Sequence, residues 1–280
     1  MRANPRIPEW LAVHHGHAPL IVSFPHTGTE IPPDIESRLV SPWLARKDTD
    51  VWVDVLYDFA HRVGATTIRT ALSRTVIDVN RDPSGASLYP GQSTTALCPV
   101  ETFDGERLYK PDAEPDAAEI EQRKRDYFAP YHQHLAAEAE RLRLKHGRVV
   151  IYDAHSIRSR VQRLFDGQLP QFNIGTNNGA SCDAALTAGI ERICAASAFN
   201  SVTNGRFRGG WITRHYGKPE TGVHALQMEL AMRGYLYEPK GALNEHNWPA
   251  MLDDAHAATL RVALRDILDV CLKFATGPTA

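Results

Sequence analysis

Two histidines follow short apolar runs closely, in positions from which each imidazole could bind a metal ion. His26 comes just after residues 20–24, and His155 comes just after residues 149–152. A single histidine in such a position is more often structural, and a chain with 13 histidines is expected to contain chance pairs. Two histidines at equivalent strand ends would either share one chemical role or have separate structural roles.

A carboxylate would complete such a site, because a catalytic zinc ion typically takes three protein ligands and leaves one position for water. Asp50, Asp48 and Glu30 are the carboxylates considered, and each also has a structural alternative. Asp48 would serve as a helix N-cap, and Asp50 would interact with the dipole of the same helix. Glu30 stands near a proline pair and would be solvated. The residues alone leave these alternatives open.

Guanidinium and amide groups border a predicted strand at residues 75–79. Arg74 precedes this strand, and Asn80 and Arg81 follow it. A guanidinium holds a carboxylate bidentately and an amide adds a directional donor, so these side chains suit recognition of a small acid. A structural salt bridge to Asp78 is the alternative for either arginine.

Glu229 lies within an apolar segment, residues 223–230, that is predicted to be a strand. Gln227 and Glu229 share one face of that strand, because side chains alternate with a period of two. They would either face solvent on an edge strand or line a site in which Glu229 acts as a general base.

Apolar runs that alternate with helical patterns predict an α/β fold with a mixed, mainly parallel sheet flanked by helices. We expect one domain over residues 1–280, with polar residues after the strands lining the site. Residues 1–18 form an irregular lead-in and residues 82–113 a loop that covers the site. The predicted strands are residues 20–24, 65–70, 75–79, 149–152, 211–213 and 223–230, and the predicted helices are residues 49–63, 116–146 with a kink at Pro130, 181–198 and 248–274.

Composition excludes several classes of protein. The 280 residues carry 31 Lys and Arg against 33 Asp and Glu, which argues against a nucleic-acid binder. No apolar stretch is long enough for a membrane span, and we expect no secretory signal. Four dispersed cysteines suit a cytoplasmic setting. Oligomeric state is not readable from these features.

Six segments in order resemble the N-formylglutamate amidohydrolase family, also called N-formylglutamate deformylases. The resemblance implies a fold similar to zinc carboxypeptidases and aspartoacylases, with a phosphorylase/hydrolase-like α/β sheet. It implies hydrolysis of N-formyl-L-glutamate to L-glutamate and formate, within histidine degradation. The segments are Ser23-Phe24-Pro25-His26-Thr27-Gly28, Asp48-Thr49-Asp50 with Leu56-Tyr57, Ser73-Arg74 with Ile77-Asp78-Val79-Asn80-Arg81-Asp82-Pro83, Asp153-Ala154-His155-Ser156, Gly209-Gly210-Trp211-Ile212-Thr213-Arg214-His215-Tyr216-Gly217 and His224-Ala225-Leu226-Gln227-Met228-Glu229.

Site roles follow from the resemblance residue by residue. His26 and His155 are expected to bind Zn²⁺ or another divalent transition metal, and Glu229 is the expected base. Thr29 stands where the wider pattern His-x-x-Glu has its carboxylate, so we assign the third ligand to Asp50. The expected substrate contacts are Asn80, Arg81 and Arg214, with Arg74 at the developing oxyanion.

Two alternative functions use the same groups. A deacylase or carboxypeptidase-like amidase acting on another acidic N-acyl amino acid would keep the whole site. A binding protein for a small dicarboxylate would keep the arginines but would need no base.

Overall fold

Seven strands form one sheet in the computed structural model, which describes residues 6–89, 91 and 94–277. Their spatial order is β1-β3-β2-β4-β7-β5-β6. In chain order the strands are β1 (Leu11–His14), β2 (Leu20–Phe24), β3 (Thr66–Thr70), β4 (Val149–Ile157), β5 (Phe172–Gly175), β6 (Ser201–Thr203) and β7 (Val223–Ala231).

Seven α-helices occur among the described residues, most of them packed on the two faces of the sheet. The short helices are α1 (Pro33–Glu36), α2 (Val53–Leu56), α3 (Ala117–Arg123) and α6 (Trp211–Tyr216). The longer helices are α4 (Ala129–His146), α5 (Ala184–Ala196) and α7 (Asp254–Thr276). None of the helices in this described part of the chain combines the length and apolar character that a membrane span needs.

The strand directions confirm the predicted mixed, mainly parallel sheet flanked by helices. Four of the six neighbouring pairs are parallel, and the pairs β1–β3 and β5–β7 are antiparallel. All nine residues of β4 are buried, as expected for a central strand covered on both faces.

Alternate residues of the central strands enter two separate cores. Leu20 and Val22 of β2 pack with side chains of α5 and α7 on one face of the sheet. Ile21 of β2 and Ile151 of β4 pack on the other face with side chains of α4. The odd-numbered residues of β4 and β7 therefore face α4 and α6, and the site is built on that side of the sheet.

Two predicted strands are wrong. Residues 75–79 are buried but form no strand, because the backbone N–H groups of Val76 and Asp78 donate to the loop carbonyls of Ser73 and Leu97 instead of a neighbouring strand. Residues 211–213 begin helix α6. The backbone N–H groups of Gly210 and Ile212 are bonded by the side chains of Gln227 and Asn80, which are distant in sequence.

Helix boundaries differ from the predictions where the backbone is irregular. The predicted helix 49–63 is reduced to α2 and a 3₁₀ turn at Asp58–His61, because Trp52 adopts a left-handed conformation with φ of 64°. The predicted helix 116–146 contains a π-helical segment at Lys124–Phe128, which ends two residues before Pro130. Proline lacks the amide that continues the α-helical bonding, so the irregularity falls there. The last helix begins at Asp254, with Asp253 as its N-cap, rather than at residue 248.

Three strands were missed, and one of them lies in the predicted lead-in. They are β1, β5 and β6, of three or four residues each. The predicted loop 82–113 has neither helix nor strand among its described residues, and residues 90, 92 and 93 of it lie outside the described part.

Candidate active site

The site lies at the carboxyl ends of the central strands β2, β4 and β7. His155 on β4 is paired in register with Glu229 on β7, and Asp153 is paired with Gln227. His26 follows β2 by two residues, and the backbone N–H of Asp50 donates to its carbonyl oxygen at 3.0 Å. Parallel pairing therefore gathers three distant segments of the chain at one edge of the sheet, and the backbone bond to His26 adds Asp50 from a fourth.

His26, Asp50 and His155 form a buried group around one carboxylate oxygen. Asp50 Oδ2 lies 2.9 Å from His155 Nδ1 and 3.8 Å from His26 Nδ1. The centroids of the two imidazole rings are 4.8 Å apart. All three side chains are at most 3% exposed.

A second carboxylate contacts the Nε2 atom of each imidazole and so fixes the orientation of the ring. His26 Nε2 contacts Asp78 Oδ1 at 2.6 Å, and His155 Nε2 contacts Asp153 Oδ2 at 2.9 Å. An ionised carboxylate only accepts hydrogen bonds, so Nε2 is the donor in each pair. In its neutral form each ring therefore presents the Nδ1 lone pair towards Asp50.

The electrostatics of the group favour a cation. Burial opposes charge on both rings, and it lowers the pKa of His26. The carboxylates of Asp153 and Asp50 nevertheless hold the pKa of His155 well above its ordinary value. A buried position whose carboxylates stabilise a proton in this way also suits a metal ion, whose binding would release that proton.

The donor set suits a divalent metal ion. The three ligand atoms lie within 4.8 Å of one another. Donors around a tetrahedral ion with ~2.1 Å bonds lie roughly 3.4 Å apart. The two separations from Asp50 Oδ2, 2.9 Å and 3.8 Å, lie on either side of this value. Carboxylates behind histidine ligands are the usual outer-shell arrangement in such sites.

Of the three carboxylates considered as the third ligand, Asp50 is the one that lies beside the two histidines. Asp48 instead accepts a hydrogen bond from the backbone N–H of Phe103 at 2.6 Å and contacts Arg158 at 3.1 Å. Glu30 is exposed at an isolated bridge to Leu72.

Glu229 is buried and reaches the same cavity. Gln227 Nε2 donates to its Oε2 at 2.9 Å, while Gln227 Oε1 accepts from the backbone N–H of Gly210 at 2.7 Å. Burial raises the pKa of the Glu229 carboxyl to about 8. A divalent cation beside it would favour the ionised form and lower that pKa.

Arg74 is buried between carboxylates and lines the cavity. Its NH2 donates to Asp78 Oδ2 at 2.6 Å, and its NH1 lies 3.9 Å from Asp50 Oδ1. Its guanidinium carbon lies 4.8 Å from the ring centre of Phe103. Among the described residues its Nε has no hydrogen-bond partner.

Asn80 and Arg81 both line the cavity, but their contacts differ. The amide of Asn80 donates to Asp153 Oδ2 at 2.8 Å and accepts from the N–H of Ile212 at 2.8 Å. Arg81 contacts Thr95 with two of its nitrogens, and its NH1 lies 3.7 Å from Asp78 Oδ2. Asn80 is thus engaged by the protein at both ends, and its substrate contact stays a prediction.

Arg214 and Arg206 differ in their relation to the cavity. Arg214 is absent from the described residues that line it, and its Nε donates to the Gly209 carbonyl at 2.8 Å. Arg206 lines the cavity and was missed by sequence reasoning. It follows β6, a strand too short to be recognised, so no strand end indicated it.

One cavity of about 580 Å³ joins these groups, counting the space open to solvent. Clefts of this size hold small molecules. The predicted loop 82–113 contributes to its wall. The lining includes His26, Asp50, His155, Glu229, Asn80, Gln227, Arg74, Arg81, Arg206, Tyr89, Thr94, Thr95, Phe103, Leu164 and Phe207.

A buried carboxyl and a buried histidine–carboxylate group face one cavity. This fold and site define an enzyme of the amidohydrolase class. The family model for N-formylglutamate amidohydrolase matches residues 18–236, and the chain belongs to that family. The chain is therefore an enzyme, and this excludes the alternative of a dicarboxylate-binding protein without catalysis.

Individual relatives agree with this assignment. An N-formylglutamate deformylase of Pseudomonas aeruginosa is 44% identical over 93% of this chain and 96% of its own. One of Pseudomonas putida is 44% identical over 81% of this chain and 85% of its own. A crystal structure of N-formylglutamate amidohydrolase from Ralstonia eutropha JMP134 superposes with a TM-score of 0.72 at 26% identity, covering 95% of this chain and 96% of that one.

Proposed function

We propose that this enzyme hydrolyses N-formyl-L-glutamate to L-glutamate and formate in a metal-dependent reaction. The observation that carries the proposal is the convergence of His26, Asp50 and His155 with Glu229 in one cavity that also contains arginines. The names of the relatives at 44% identity support the choice of substrate.

The metal would be held by His26 Nδ1, Asp50 Oδ2 and His155 Nδ1, with Zn²⁺ as the first choice. Nitrogen and oxygen donors also suit cobalt, manganese or iron. When bound, such an ion supplies a Lewis acid that polarises the formyl oxygen and lowers the pKa of water to about 7.

Glu229 acts as the general base in this proposal. Its carboxylate takes a proton from the attacking water as the water oxygen bonds to the formyl carbon. It then passes that proton to the amide nitrogen as the C–N bond breaks, which releases formate and the free amine of glutamate. Arg74 stabilises the negative charge that develops on the formyl oxygen.

Arg81 holds the α-carboxylate of the substrate. This carboxylate is one carbon from the scissile nitrogen, so it must bind close to the histidine group. Arg81 NH1 meets that requirement, because it lies 3.7 Å from the Asp78 carboxylate that orients His26.

Replacing Arg81 with alanine is expected to raise KM for N-formyl-L-glutamate by about 10- to 100-fold with little change in kcat, as when uniform binding is lost. N-formyl-L-glutamine should suffer equally, since it carries the same α-carboxylate. Arg62→Ala, which removes an exposed arginine paired with Asp58, is the matched control. An unchanged KM would remove Arg81 from substrate binding.

Metal removal gives the direct test of the proposed function. The purified protein should release formate and glutamate in equal amounts from N-formyl-L-glutamate. Dialysis against a chelator should abolish this, and Zn²⁺ or another divalent ion should restore it. Full turnover by metal-free protein would exclude metal dependence. Faster cleavage of N-acetyl-L-glutamate or of a peptide ending in glutamate would favour the deacylase or carboxypeptidase alternative.

The cellular setting follows from the family resemblance alone. We place the reaction in histidine degradation and in the cytoplasm. Accumulation of formylglutamate in a deletion strain grown on histidine would support this, and normal growth without accumulation would contradict it.

A further inference from the structure

We propose that Phe103 forms the part of the cavity wall that restricts the acyl group of the substrate to formyl, and so sets a preference for N-formyl over N-acetyl amino acids. The inference rests on the proposed function, in which Arg74 faces the acyl oxygen. Formyl carries a hydrogen on the reacting carbon where acetyl carries a methyl group, so a wall at that carbon distinguishes the two.

The size of the whole cavity does not account for such a preference. At about 580 Å³, counting the space open to solvent, it would admit an acetyl group as readily as a formyl group. A methyl group is rejected where it meets a side chain that cannot move away, because close-packed groups resist added volume. The distinguishing side chain must therefore lie beside the reacting carbonyl and be held rigidly.

Phe103 meets the first condition, because its ring lies against Arg74. The Arg74 guanidinium carbon is 4.8 Å from the Phe103 ring centre, and Arg74 NH1 is 3.9 Å from Asp50 Oδ1. Phe103 and Arg74 line the cavity together with His26 and His155. An acyl oxygen bound by Arg74 has its carbon about 1.2 Å away, so a methyl group on that carbon would have to fit beside the Phe103 ring.

A tight turn places the ring in the cavity wall. The turn spans residues 102–105, with the Gly105 N–H donating to the Thr102 carbonyl at 3.0 Å. Gly105 has a φ of 89°, a left-handed value that glycine adopts without strain. The backbone N–H of Phe103 donates to Asp48 Oδ2 at 2.6 Å, so the turn is fixed at the residue that carries the ring.

Two buried cations hold the same turn. Lys47 is 4% exposed, and its Nζ contacts Asp104 at 2.6 Å and also contacts Glu106. Arg158 is 9% exposed and contacts Asp104 at 2.9 Å. The residue that follows Phe103 is therefore paired with two cations, and breaking such pairs would leave buried charges uncompensated, which is costly.

Apolar packing restricts the ring itself. Phe103 is 7% exposed and belongs to a small core with Ile157, Val161 and Leu169. Side chains in close-packed cores interdigitate and leave few voids into which a neighbour could move. The ring therefore cannot swing aside for a methyl group without cost, which is the second condition.

Replacing Phe103 with alanine is expected to raise kcat/KM for N-acetyl-L-glutamate, relative to that for N-formyl-L-glutamate, by about 10- to 100-fold. The two substrates share both carboxylates and differ at the acyl carbon, so a general loss of folded or metal-loaded enzyme cancels in the ratio. Phe103→Leu keeps most of the buried volume and should shift the ratio in the same direction by less. It provides the test if the alanine variant does not fold.

Phe165→Ala is the matched control. Phe165 packs against the same small core and is absent from the described residues that line the cavity, so its variant should leave the ratio unchanged. An unchanged ratio in folded Phe103→Ala and Phe103→Leu would overturn the inference. An equal shift in Phe165→Ala would also overturn it, since loosening of the core would then be the cause.

A binding measurement separates this inference from the proposed reaction. In a Glu229→Gln background, calorimetry compares the Kd of N-acetyl-L-glutamate with that of N-formyl-L-glutamate, and Phe103→Ala should shift this ratio towards the acetyl compound by about 10-fold or more. If the wild-type enzyme released no formate while this shift persisted, only the proposed reaction would fail. If formate release were normal and neither ratio moved, only the role of Phe103 would fail.

Discussion

Replacing Glu229 with glutamine is expected to lower kcat by about 100- to 10,000-fold, the range that a positioned general base contributes. The amide has almost the same size and cannot accept a proton from water. Gln227 would still contact it, so the fold should be kept. Formate release under saturating substrate measures the loss, and elemental analysis should find the same metal content as in the wild type.

Glu238→Gln is the matched control for this substitution. Glu238 follows β7, accepts a hydrogen bond from the Ser159 N–H, and does not line the cavity. Its variant should keep nearly full activity. Near wild-type turnover in Glu229→Gln would remove Glu229 as the base, and a loss of metal together with activity would assign it a ligand role instead.

Residues next to long buried strands could be predicted from the sequence. β2, β4 and β7 appear as apolar runs, and ligands of parallel sheets bind beyond their carboxyl ends. His26 and His155 were selected on that basis, and Glu229 was selected by its place on one strand face; the structure brings all three to one cavity. His155 lies inside β4, because that strand runs on to Ile157 instead of ending at residue 152. Asp153 was open to the same reasoning, since it shares a strand face with His155 two residues later.

Side chains held by tertiary contacts could not be placed in this way. Asn80 follows a segment that only resembles a strand, and its amide ends bond to Asp153 and Ile212, which are distant in sequence. Arg206 follows a strand of three residues, too short to show a period. Helix α6 begins where the side chains of Asn80 and Gln227 bond the first backbone N–H groups. Local helix propensity carries no information about such distant partners, so it could not predict this helix.

There is a physical reason why residues next to buried strands could be predicted and side chains held by tertiary contacts could not. Burial of a strand on both faces leaves a continuous apolar run, which is visible in a single sequence. Orientation of a functional side chain depends on partners such as Asp78 and Asp153, whose own positions depend on the completed fold. Chemistry-bearing residue types were therefore easier to predict than the carboxylates that position them.

Asp50 is the residue on which the proposed metal site depends most, since its Oδ2 contacts His155 Nδ1 and accepts from the Ser156 N–H at 3.1 Å. Asp50→Asn keeps the shape but removes the charge. We expect metal affinity to fall by more than ~100-fold, because even outer-shell partners are typically worth about 10- to 100-fold. Activity should fall in parallel and recover in part at high metal concentration.

Asp48→Asn provides the comparison, because Asp48 is two residues away and bonds to Phe103 and Arg158 instead of the histidines. Competition with a chromogenic chelator measures the affinity of both variants, and thermal unfolding of the metal-free proteins checks that each is folded. Removing the Asp50 charge also removes one of the two carboxylates that raise the pKa of His155, the other being Asp153. Metal-free Asp50→Asn should therefore show a lower His155 pKa in a histidine NMR titration, whereas Asp48→Asn should not. Full metal binding by Asp50→Asn, with loss in Asp48→Asn, would move the third ligand to Asp48.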